Sequence, residues 1–126
     1  MAKSFRELLV WQRSMQLAET IFRITEDFPK REVFGLASQM RRAATSIPSN
    51  LAEGANRIGR KEFRQFVTIA RGSNNELQTQ IELAHRVGIL SIATAVTAQK
   101  EAEEVGRMLH RLWVYLAPKK KDSKPQ

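Results

Sequence analysis

Cysteine is absent from this 126-residue chain, histidine occurs only twice, proline four times and tyrosine once. Without thiols there is no disulfide framework, no cysteine nucleophile and no cysteine-bound zinc. Long apolar runs are missing as well. The longest uncharged stretch, from Val87 to Gln99, is broken by Ser91, Thr94 and Thr97 and falls far short of the roughly 20 apolar residues a membrane-spanning helix needs. The first residues, Met1-Ala2-Lys3-Ser4-Phe5-Arg6-Glu7, carry neither an apolar core nor a small-residue cleavage site, so no secretion signal and no membrane segment are expected. A cytoplasmic location follows as the expectation. What is abundant is positive charge: 21 Lys and Arg against 13 Asp and Glu give a net charge of +8, with 42% of residues hydrophobic. That apolar share argues against disorder, and the length suits one domain with its own core.

The few punctuating residues, Pro29, Gly59, Gly88 and Pro118, divide the chain into four long segments. Within each, apolar residues recur at spacings of three and four, the mark of a helix packed along one face. The first carries Val10, Leu17, Ile21, Ile24 and Phe28 on one line and Trp11, Met15, Ala18 and Phe22 on the next, an unusually wide apolar face. The second places Val33, Ala37, Met40, Ala44, Ile47, Leu51, Gly54 and Ile58 in strict alternation. The third does the same from Phe63 through Val67, Ala70, Asn74, Leu77, Ile81 and Ala84 to Gly88. The fourth starts at Ser91, a suitable N-cap, and runs through Ala95, Ala98, Ala102, Val105, Leu109 and Leu112 to Leu116. These patterns predict an all-α, antiparallel up-down-up-down four-helix bundle over residues 1–117, with helices at about 5–27, 33–56, 60–87 and 91–117. Residues 118–126, with four lysines, one aspartate and nothing to bury, read as a disordered basic tail. Pro48 sits inside the second seam, which predicts either one kinked helix or a break between Ser46 and Asn50.

The charge is unevenly distributed. Residues 41–71 hold seven basic groups (Arg41, Arg42, Arg57, Arg60, Lys61, Arg64 and Arg71) against Glu53 and Glu62. The tail contributes a further +3, whereas residues 72–117 are net −1. Six of those seven cations are arginine, which binds phosphate bidentately and stacks on bases, so they are candidate nucleic-acid contacts. The competing reading is an ordinary solvated helix face.

Catalytic chemistry is hard to assemble from this chain. Glu82 and His85 make one Glu-x-x-His pair, but a di-iron bundle needs two such pairs and two more inward carboxylates, and the second copy is missing. His110 lies near the end of the last helix, where a cation favours the helix dipole. Glu101, Glu103 and Glu104 read as a solvated face. No phosphate loop or nucleophile elbow occurs, so no enzyme, metal site or cofactor is expected. A polar line beside the second seam, Ser46, Ser49, Asn50 and Glu53, together with Ser73 and Glu76 in the third segment, suggests a hydrogen-bonded network between helices or subunits; a ligand site is the alternative.

The block Leu36-Ala37-Ser38-Gln39-Met40-Arg41-Arg42-Ala43-Ala44-Thr45-Ser46-Ile47-Pro48-Ser49-Asn50-Leu51-Ala52-Glu53-Gly54, with Leu9-Val10-Trp11-Gln12 before it and Ile69-Ala70-Arg71-Gly72-Ser73-Asn74-Asn75-Glu76-Leu77 after it, resembles the four-helix-bundle family encoded in intervening sequences of bacterial 23S ribosomal RNA genes. The resemblance implies a ring-like homopentamer with a role near ribosomal RNA. It also implies kinship with the basic accessory protein of diversity-generating retroelements, which binds reverse transcriptase and nucleic acid. Where this chain has Asn74 the family often has a more apolar residue. Trp11, Met15, Phe22 and Trp113 offer more apolar width than one bundle core needs and are the candidate oligomer interface; the two tryptophans would otherwise close the ends of a monomer core. The reading is a non-enzymatic, homo-oligomeric bundle that binds structured RNA or another nucleic acid. The alternative is a scaffold that docks a protein partner.

Overall fold

A computed structural model describes residues 4–33 and 35–119. Four helices, α1 (Leu9–Thr25), α2 (Leu36–Ala55), α3 (Arg60–Arg86) and α4 (Ile92–Tyr115), run alternately up and down, and no strand occurs among the described residues. Each helix packs on the two beside it in ring order, and the ring closes where α1 meets α4. From residue 120 onward the expected tail lies outside the described residues.

The seams form the core. Ala37, Met40, Ala44, Ile47, Leu51 and Gly54 are buried in α2, and Val67, Ala70, Asn74, Leu77, Ile81 and Ala84 in α3. The pattern runs past the helices at both ends of α2. Val33 is exposed and Ile58 is fully so at 102%. The helix itself starts later than the spacing predicts, because Pro29 opens a 3-10 turn over Lys30–Glu32 and Gly35 takes the cap position. Likewise α1 begins at Leu9 rather than at residue 5. The Ser4 side chain caps a separate 3-10 turn, Phe5–Glu7, and Leu8 is extended between the two.

Local chemistry sets the remaining ends. Gly88 adopts φ +84°, which lets the Ile89 and Gly88 amides donate back to the carbonyls of Ala84 (2.9 Å) and His85 (3.0 Å), a Schellman stop. Ser91 Oγ accepts from the Thr94 amide at 3.2 Å to start α4. Pro48 is buried and α2 runs through it unbroken, so there is no new helix at Ser46–Asn50. The Asn50 side chain donates to the Ser46 carbonyl there at 2.8 Å.

Candidate nucleic-acid interface

Because α3 and α4 are antiparallel, a residue on one meets a residue on the other whose number falls as its own rises. Gln99 Nε2 donates to the Gln78 carbonyl (2.9 Å), Asn74 Nδ2 to that of Ala102 (2.9 Å) and Arg64 Nε to that of Trp113 (2.9 Å). This register brings Arg107 and Arg111 beside Arg71 and Asn75, lining an open cleft of about 540 Å³ with Gln78 and Glu103. Toward the end of α4 a second cleft of about 890 Å³ opens between Lys61, Arg64, Gln65, Trp113, Leu116 and Lys119. Trp113 stands where the two clefts approach each other. It lines the second, while Arg71, which lines the first, lies over its ring.

Three arginines of this groove lie on aromatic rings. The Arg64 guanidinium carbon is 3.7 Å from the Trp113 centroid and that of Arg71 is 4.8 Å from it; Arg60 covers Tyr115 at 4.7 Å. Trp113 is held in turn by its indole N–H, which donates to Thr68 Oγ1 at 3.0 Å, and by His110 stacked at 6.3 Å. Arg60 also donates to the Tyr115 carbonyl. Each stack is worth about 0.5–2 kcal/mol and restricts a side chain that would otherwise be free, leaving its other N–H groups available.

The seven cations singled out in the sequence do not form one patch. Arg60, Lys61, Arg64 and Arg71 share the α3/α4 groove. Arg41 belongs to the α1/α2 side, over Phe22 at 4.8 Å and donating to Thr25 Oγ1 at 2.8 Å, and Arg42 donates to Ser38 Oγ at 2.8 Å. Arg57 pairs with Glu53 at 3.0 Å and covers Phe66 at 5.0 Å. Arg107, Arg111 and the amides of Asn75 and Gln78 were missed. Net charge by segment hides the two arginines, because they share a window with Glu101, Glu103 and Glu104, of which Glu104 is paired with Arg13 across the bundle. Counting along two antiparallel helices would have found them.

A family model described as the 23S rRNA-intervening sequence protein matches residues 6–111. The chain belongs to this family. A crystal structure of a protein of unknown function from the S23 ribosomal protein family of Bacteroides thetaiotaomicron superposes with a TM-score of 0.76 at 21% identity, covering 83% of this chain and 98% of that one. At that identity it shows the shared fold. No curated protein matches.

In this member of the 23S rRNA-intervening sequence family, the motif block of α2 is turned mainly inward. Ser46 Oγ meets Ser73 Oγ at 2.8 Å across α2 and α3, and Asn50 Nδ2 reaches Ser46 Oγ at 3.0 Å. Ser49 and Glu53 are exposed and stand apart from that cluster, and Glu76 accepts from Gln80 Nε2 at 3.4 Å. Of the candidate interface residues, Trp11 is half-buried against the core with Phe5 edge-on at 5.3 Å, Met15 and Phe22 are exposed, and Trp113 is taken up by the groove. His85 Nδ1 donates to the Leu90 carbonyl at 3.2 Å and Glu82 pairs with Arg86 at 2.9 Å, so the Glu-x-x-His pair is divided between two structural roles. Among the described residues no group of three or more His, Asp or Glu gathers as metal ligands, and no helix is long and apolar enough to cross a membrane.

Asn74 is 1% exposed and its Oδ1 has no hydrogen-bond partner among the described residues. Leucine has a similar shape and removes the unpartnered oxygen. The Ala102 carbonyl, inside α4, keeps its own helical bond. Asn74→Leu is therefore expected to raise stability by about 1–2 kcal/mol, read as a higher melting temperature. A lower one would mean that Oδ1 has a partner in solution or that the leucine methyl group crowds the Ala102 carbonyl and Gly106.

Proposed function

We propose that the chain is a non-catalytic RNA-binding bundle, acting without a cofactor in the cytoplasm, with the α3/α4 groove as its contact surface. The observation that carries the reading is the row of arginines laid on Tyr115 and Trp113, with Arg107 and Arg111 facing them and Lys61 and Lys119 at the groove's mouth. Cations on an ordinary charged helix face are often balanced by carboxylates one turn away. Here Glu103 is the one carboxylate among the described residues that line the two clefts, and the ion pairs among the described residues use Arg13, Arg57 and Arg86, none of which lines either cleft. Positioned arginines facing open, cation-lined clefts suit a phosphate backbone, and the family's description supplies the link to ribosomal RNA. Binding of a structured RNA, titrated over a series of salt concentrations, should give a log-log slope of several units. No binding at low salt would overturn the reading.

The bundle also leaves Met15 and Phe22 on α1 and Ile69 and Leu83 on α3 in water. Such residues support self-association, and the family resemblance supports a ring of five copies. Light scattering of the purified protein should then give a mass near five chains; a monomer at all accessible concentrations would rule the ring out.

A further inference from the structure

The larger cleft is built differently from the rest of the groove. Its floor is apolar, from Trp113 and the buried Leu116 with Pro118 beside them, and its rim is cationic, from Arg60, Lys61, Arg64 and Lys119. No carboxylate occurs among the described residues that line it, and Gln65 adds one amide able both to donate and to accept. At about 890 Å³ it lies within the range of clefts that enclose a small ligand. Arg60 and Arg64 are each tied to a carbonyl of the α4 end, so the rim is set before anything binds.

An apolar, aromatic floor under a phosphate-binding rim suits a flat ring joined to a phosphate. The bases of an A-form duplex are stacked inside the helix and cannot enter, whereas an unpaired nucleotide presents its ring to aromatic and guanidinium planes. We infer that the cleft at the end of α4 receives one unpaired nucleotide of an RNA strand, its base against Leu116 and the outer face of the Arg64 guanidinium that covers Trp113, and its phosphate on Lys61 and Lys119. This rests on the RNA-binding reading and adds to it a preference for single-stranded ends or bulges beside a helix.

The test separates base from charge. Two RNA hairpins are compared at one salt concentration, one with a single-nucleotide 3′ extension and one whose extension has the same sugar and phosphate but no base. The base is expected to tighten binding about tenfold, the size of one base stacked on a planar side chain. In a Trp11→Phe protein, which keeps Trp113 as its one tryptophan, the fluorescence should change on binding the first RNA and much less on the second. Equal affinity for both would overturn the nucleotide site while leaving the groove intact. A base preference without a Trp113 response would put the base elsewhere and overturn it too. Failure of both hairpins to bind would remove the groove reading itself.

Discussion

Alanine at both Arg64 and Arg71 is expected to weaken RNA binding roughly 25- to 60-fold at about 0.1 M salt. Each phosphate neutralised contributes about 0.7–0.9 to the log-log salt slope, and so about that many log units of affinity at one-tenth molar salt; two contacts give the quoted range. The slope itself should fall by about 1.4–1.8. Arg41 and Arg42 carry the same formal charge but belong to the α1/α2 side, tied to Thr25, Phe22 and Ser38. Their replacement by alanine should change affinity by less than about threefold, since they contribute only long-range attraction that is screened within about 10 Å at this salt. Equal losses from the two pairs would mean that RNA responds to total charge and not to the groove. Circular dichroism of both variants controls for unfolding, because Arg64 also holds the Trp113 carbonyl.

That split between two faces explains what could be read in the sequence and what could not. Spacing along one helix is a local property, so the seams of α2, α3 and α4 were legible from Ala37 to Gly54, from Val67 to Ala84 and from Ala95 to Leu109. So were the Gly88 stop and the Ser91 start, which depend on a few adjacent residues. A surface shared by two helices depends on their register, which no window along the chain contains. Hence Arg41 and Arg64 looked like neighbours, although they occupy different grooves, while Arg71 and Arg107 looked unrelated. Leu8 and Gly35 mark another limit. The expected helices begin at Phe5 and Val33, but a 3-10 turn, capped by Ser4 in the first case and opened by Pro29 in the second, precedes the helix at each place and shifts its start.

Gly54→Ala is expected to cost about 1–2 kcal/mol and lower the melting temperature by about 4–8 °C. A methyl group at Gly54 would lie 2.7 Å from Phe66 Cβ and 2.8 Å from Phe63 Cδ1. The first contact is with an atom fixed to the α3 backbone, so no rotamer change relieves it and the two helices must separate locally. Overpacking of this kind costs about 1–3 kcal/mol, offset by up to about 1 kcal/mol of helix propensity gained by alanine; each kcal/mol shifts a domain of this size by about 4 °C. Gly72→Ala is the matched control. Nothing lies within 4 Å of its added methyl group in the middle of α3, so only the propensity gain remains and stability should rise by up to about 1 kcal/mol. Thermal melts of the two variants should therefore move in opposite directions. A Gly54→Ala protein as stable as the parent would show that α2 and α3 can part without penalty, which would remove the reason for glycine at the end of the motif block.

The ring order of the helices also decides how the chain distributes its entropy. Three of the four seams join elements adjacent in sequence, across links as short as residues 56–59 between α2 and α3. The fourth, α1 with α4, closes a loop that contains both other helices and is marked by the Arg13 and Glu104 pair. Closing a loop some sixteen times longer costs about 2.5 kcal/mol more chain entropy by the logarithmic law, if the intervening chain is flexible. Once α2 and α3 are paired by Gly54 and by the Ser46–Ser73 contact, much of that cost has already been met. The order of connection thus favours the inner hairpin as the template for the two outer helices, and α1, the shortest helix, shares with α4 the one seam that needs the long closure.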